Sequence, residues 1–123
     1  MNARKHLETY LEGWRLGDGD LSLGVVKADF HYDDPNTGRI YRDGFVAFME
    51  EFKAVAAALN GGKLGEPFLS YRDITVDETS NPHAAWCWWQ ATGTDLQGAA
   101  LIHFDGDGII SERIAYFSKL PEA

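Results

Sequence analysis

A single cysteine, Cys87, leaves no possibility of an intrachain disulfide and fits a reducing cytoplasm. Long apolar runs are missing too, so no segment reads as a membrane-spanning helix. The opening MNARKHLETY has no apolar stretch of the kind a secretory leader needs. Basic residues are the minority, with 11 Lys and Arg against 19 Asp and Glu and a net charge of −8. Such a chain is repelled by nucleic acid and by anionic membrane surfaces, and neither is expected as a partner. No repeat, low-complexity tract or linker interrupts the 123 residues, which fits one domain over 1–123 with one core.

Several chemistries lack their motifs. His31 and Asp33 share a strand face, but no third metal ligand follows at a recognisable spacing. DGDG at 105–108 has no downstream glutamate at the offset of a calcium loop. There is no nucleophile elbow, phosphate-cradling glycine loop or dinucleotide fingerprint. No metal or other cofactor is therefore expected.

What is abundant is aromatic surface: four Trp, five Tyr and seven Phe. It fills a core, lines a cavity, or does both. Leu7, Tyr10, Leu11 and Trp14 recur at helical spacing, which predicts a helix over about 2–16, ended by Gly17-Asp18-Gly19. A short helix follows, with Asp20 as its cap and Leu21, Leu23, Val25 and Val26 as apolar content. DFHYDDP reads as extended. A third helix runs from about Asp43, as N-cap, to Leu59, with Phe45, Phe48, Met49, Phe52, Val55, Ala56 and Leu59 as its stripe. From Phe68 the period changes to two, predicting strands near 68–78, 84–93, 97–104 and 109–118. DGDG makes the last tight turn. Helices first and an antiparallel meander after them predict an α+β fold: a curved antiparallel sheet with the N-terminal helices on one face, enclosing an apolar pocket.

The acidic pair in HYDDPNTG is the sharpest chemical feature. Alternation puts Phe30, Tyr32 and Asp34 on one face and His31 and Asp33 on the other. The aromatic face is the inner one, so Asp34 stands at the edge of a cavity, where burial raises a carboxyl's pKa toward the range of a general base. A second reading stays open, in which Asp34 only accepts backbone amides of its turn.

Three stretches carry a resemblance: LETYLEGWRLGDGDL, FHYDDPNTGRIYRDGFVAFMEEF and ALIHFDGDGIISERIAYF. In that order they resemble the nuclear transport factor 2-like (NTF2-like) superfamily, which includes ketosteroid isomerases, SnoaL-like polyketide cyclases and limonene epoxide hydrolases. The resemblance implies a cone-shaped half-barrel with a deep apolar pocket, often in a homodimer. It also implies Asp34 as proton-abstracting base and Tyr10 as hydrogen-bond donor to an oxyanion. The isomerases' second donor, an acid on the penultimate strand, is replaced by Ala100, and a supporting tyrosine by Phe52. Both departures count against steroid isomerase activity.

Arg113 is a third candidate. With Gly106-Asp107 as a two-residue turn, Ala100 faces Arg113 and the guanidinium enters the cavity, where it is able to pair with Asp34 or clamp an anion. A loop one residue longer inverts the register and puts Arg113 in solvent. Ile110, Ile114 and Tyr116, which look buried on the opposite face, favour the second register. In AAWCWWQATG, Trp86, Trp88 and Gln90 share one face, Cys87 and Trp89 the other, and both look covered. The expected apolar walls are Trp14, Phe30, Tyr32, Phe48, Phe52, Trp86, Trp88, Ile102 and Phe117, with Gln90 as a polar contact. Glu112 and Asp95, the carboxylates an epoxide-hydrolase-like site needs near Arg113, do not read as inward. The expectation is a small-molecule cavity protein taking a small apolar or polyketide-like compound. It is either a cofactor-independent isomerase, cyclase or lyase, or a binder or dimerisation module without catalysis.

Overall fold

The computed structural model of the chain describes residues 2–118. Helix α1 spans Ala3–Leu16. Asn2 caps it by accepting the Lys5 amide at 2.9 Å, and Gly17 closes it in the left-handed region at φ 72°. Leu7, Tyr10 and Trp14 form its buried stripe. Helix α2, Gly19–Leu23, is capped by Asp18, whose carboxylate accepts the Leu21 amide at 3.1 Å; Asp20 lies inside the helix instead. The two helices meet closely, with the Ser22 hydroxyl donating to the Tyr10 carbonyl at 2.7 Å. Gly13 permits this approach: a Cβ there would fall 1.9 Å from Ser22 Oγ.

Val26 leaves the helical region and begins strand β1, Val26–Asp34. It turns back as β2, Gly38–Tyr41. A 3₁₀ turn at Arg42–Gly44 contains Asp43, so Asp43 is not an N-cap, and helix α3, Phe45–Leu59, starts from Gly44 without a side-chain cap. Its buried stripe is Phe45, Phe48, Met49, Phe52 and Ala56. Val55 and Leu59, expected in the stripe, are 55% and 59% exposed. Among the described residues no helix is long and apolar enough to cross a membrane.

Four strands complete the chain: β3 Leu69–Asp77, β4 His83–Ala91, β5 Gln97–Asp105 and β6 Gly108–Tyr116. They pair as successive antiparallel neighbours. The sheet order is β2-β1-β6-β5-β4-β3, with β1 running parallel to β6, so this curved sheet is mixed and its edges, β2 and β3, do not meet. The fold is α+β, as expected, with the N-terminal helices against the aromatic inner face. Trp14 is the hub of that contact. Its ring lies 5.6 Å from Tyr32, 5.5 Å from Phe45 and 6.0 Å from Phe52.

One irregularity decides what faces inward on β6. The Gly106-Asp107 turn is tight and Phe104 pairs with Ile109, as alternation predicts. The next pair is His103 with Ser111, so Ile110 is an extra residue in β6. This bulge inverts every side chain beyond it. Ile102 now faces Glu112, Leu101 faces Arg113, and Ala100 faces Ile114.

Candidate functional site

Asp34 ends the inward row of β1, behind Phe30 and Tyr32, and is only 4% exposed. Its two oxygens do different work. Oδ1 accepts the amides of Asn36 at 2.7 Å and Thr37 at 3.1 Å, closing the DPNT turn. Oδ2 accepts the Tyr116 hydroxyl at 2.6 Å. Oδ1 thus does what the turn reading expects, while Oδ2 is held by a side chain from the far end of β6. Burial and the neighbouring Asp34 charge push the Tyr116 hydroxyl above the ordinary phenol range.

Both groups line an outer pocket of about 300 Å³, whose other walls include Phe48, Phe52, Val55 and Leu96. Asn36 and Thr37 also line it. The volume lies at the low end of small-ligand pockets, roughly 300–1,000 Å³.

A second polar centre lies among buried aromatics. Glu112 is 3% exposed, and its Oε1 accepts the Tyr10 hydroxyl at 2.5 Å. The buried Trp14 indole N–H also comes near enough to favour the charged carboxylate, though it falls short of hydrogen-bond geometry. Burial outweighs both donors and raises the Glu112 carboxyl to about 7. Tyr10, Tyr32 and Tyr71 are all pushed well above the ordinary phenol range, first by burial and then by Glu112's charge. Beside Glu112 is a void of about 10 Å³, bounded also by Trp14, Tyr32, Phe52 and Tyr71.

The structure brings together only part of the expected site. Phe48 and Phe52 line the outer pocket with Asp34. Trp14, Phe30, Tyr32 and Ile102 are core residues, none more than 2% exposed. Tyr10 is fully buried with its hydroxyl on Glu112, and it does not line the outer pocket.

Arg113 lies outside the cavity. The Ile110 bulge turns it to solvent, its side chain 72% exposed, where it stands 3.6 Å from Asp33. Asp33 is the outer-face partner of a basic cluster. Hydrogen bonds from Arg39, at 2.8 and 3.2 Å, hold its carboxyl below the usual range, aided by His31 and Arg113.

The β4 face is also the reverse of the expected one. Ala85, Cys87, Trp89 and Ala91 point inward, each at most 3% exposed. Trp86 is 49% exposed, Trp88 packs on Phe117 at 5.7 Å, and Gln90 donates to the Thr94 carbonyl at 2.7 Å. Phe117 is 48% exposed on that same outer side. The reason is room: Trp89 pairs with Gly98, and a Cβ on Gly98 would lie 1.8 Å from the Ala115 carbonyl oxygen and 3.0 Å from the Trp89 ring.

Glu112 is the residue that sequence reasoning missed. Its signal was present, since Glu112 stands two before Ile114, and Ile114 with Tyr116 already marked that face as buried.

No protein-family model matches the sequence, and a search of curated proteins finds no significant match. Solved structures do match. A candidate polyketide cyclase from Xanthomonas campestris superposes with a TM-score of 0.63 at 17% identity, covering 93% of this chain and 89% of that one. An NTF2-like protein from Cytophaga hutchinsonii gives 0.66 at 12% identity, covering 93% and 94%. One of unknown function from Burkholderia xenovorans gives 0.65 at 17%, covering 98% and 86%. At these identities the likeness is one of fold.

Proposed function

We propose, with the NTF2-like fold as premise, that the chain binds a small apolar or polyketide-like molecule in the outer pocket. There it acts as a cofactor-independent isomerase, cyclase or lyase with Asp34 as general base. One observation carries this reading: a buried carboxylate hydrogen-bonded to a tyrosine at 2.6 Å on the wall of a largely apolar pocket of about 300 Å³. A C–H next to a substrate carbonyl would give its proton to Asp34 Oδ2, the C–H pair would form the carbon–carbon double bond of an enolate, and the carbonyl π pair would move to the oxygen. The side-chain donors of Asn36 and Thr37 line the same pocket and suit that oxygen. The Xanthomonas structure's description supports the polyketide-like class by analogy of fold alone.

The decisive experiment is hydrogen–deuterium exchange of activated cyclic ketones. Wild type is expected to catalyse it, and Asp34→Asn to lose on the order of 100-fold in rate with ligand affinity changed only a few fold. Absence of any wild-type exchange would remove the base assignment.

A binder without catalysis is the second reading. It is favoured by the engagement of both Asp34 oxygens, with two amides and a phenol already hydrogen-bonded to them. That reading predicts ligand binding with no exchange.

The outer sheet face supplies the partner reading. Trp86 and Phe117 are half-exposed around Trp88, an apolar patch on a chain otherwise rich in charge. A second copy of the chain is the proposed cover, and a monomeric sedimentation coefficient at micromolar concentration would dismiss it.

A further inference from the structure

The inner void has about 10 Å³, close to the roughly 10–15 Å³ that one water-sized oxygen requires. Its walls combine a donor and an acceptor with capacity to spare. The Trp14 Nε1–H is buried without a hydrogen-bond partner. Glu112 has one side-chain hydrogen bond among the described residues, from Tyr10, although a carboxylate can accept several.

Phe52 lines both this void and the outer pocket, and is the one residue they share. Nothing polar anchors its ring. It rests on aromatic neighbours, 6.0 Å from Trp14, 6.0 Å from Phe68 and 5.7 Å from Trp89.

We infer that the outer pocket and the void are two ends of one ligand chamber, with Phe52 as the partition, and that the ligand is a hydroxyl-bearing ring compound, a phenol or cyclic alcohol, whose oxygen occupies the void. A hydroxyl both accepts from the Trp14 N–H and donates to the Glu112 carboxylate. A ketone meets only the indole while Glu112 is charged, and a hydrocarbon meets neither. The ring displaces Phe52 and packs against Phe48, Val55 and Leu96 in the outer pocket. Sites that hydrogen-bond a hydroxyl from buried groups discriminate strongly against analogues lacking it, because those groups are then left unpaired.

The inference rests on the small-molecule reading above, but Trp14, Glu112 and Phe52 carry it rather than Asp34. The test titrates 4-ethylphenol and ethylbenzene into the protein, following the indole N–H resonances and the methyls of Val55 and Leu96. Expected is about tenfold tighter binding of the phenol, with a shift of the Trp14 indole signal specific to it. Phe52→Leu, which thins the partition, should raise phenol affinity several fold and keep the discrimination. Glu112→Met should bring the two probes close to equal.

Equal affinities in wild type with an unmoved Trp14 signal would overturn the inference. If ethylbenzene still shifted the Val55 and Leu96 methyls, the outer pocket would survive and only the chamber would fall. If neither probe bound, the pocket reading would fall with it. The Trp14 signal is read on wild type, so the result stands even if a variant does not fold.

Discussion

At Glu112 the cost of burying a charge is set against the hydrogen bond from the Tyr10 hydroxyl and the nearby Trp14 indole, and burial wins. The consequence is a pH dependence of defined sign. The folded carboxyl titrates near 7, against 4.5 for the ordinary group. Between these values the unfolded chain has released a proton that the folded chain still holds. Stability therefore falls as pH rises through this window, by about 3 kcal/mol in total, and levels off above 7. Glu112→Gln should flatten the curve, which urea midpoints at pH 5 and pH 8 would show; identical slopes in both proteins would refute the assignment. Tyr10→Phe removes the hydroxyl that favours the charged carboxylate. It should push the Glu112 carboxyl further above 7, visible in its titration by carbon NMR, and cost about 1–2 kcal/mol at pH 8. Asp34 was legible as an inward residue because strand alternation between Phe30 and Asp34 is a local property. Glu112 was less so, since its face depends on the bulged residue just before it, Ile110.

In the β5–β6 hairpin, the turn type could be read from DGDG, but the extra residue at Ile110 could not. A bulge has no composition of its own here: GIIS reads as ordinary strand. Its effect is nonetheless large, because it exchanges Arg113 for Glu112 at the inner face. Deleting Ile110 removes the bulge while keeping Ser111 opposite His103, Glu112 inward opposite Ile102 and Arg113 outward, so the inner face is unchanged. A cooperative thermal melt is therefore expected to persist in the deletion variant, and loss of the transition would show that the bulge itself, and not only the register it sets, is required. Gly98 is the matching feature across the sheet. Gly98→Ala places a methyl against backbone rather than a flexible side chain, at the Ala115 carbonyl, and should cost about 2–3 kcal/mol in chemical denaturation. In α3, periodicity found the buried aromatics correctly. It overextended to Val55 and Leu59 because helical spacing cannot tell which residues at the stripe's margin the sheet covers.

Across the whole molecule, the sheet is joined by a pairing between distant segments, β1 beside β6, which sets Tyr32 opposite Glu112. That contact aligns the inward row of β1 with the floor of the site, and it makes the sheet mixed. On the outside, Trp86→Lys should leave the fold intact, since the side chain is already half-exposed, while shifting any dimer to monomer in sedimentation. The order of helices and strands, the aromatic core and the inward face of β1 follow from local periodicity, which depends only on residues a few positions apart. Which face of β4 is covered, whether Arg113 or Glu112 points inward, and the division of the interior at Phe52 were decided by tertiary structure. Each depends on register and packing against strands far away in sequence, where one inserted residue inverts a face without changing the pattern of residue types that a reader of the sequence sees.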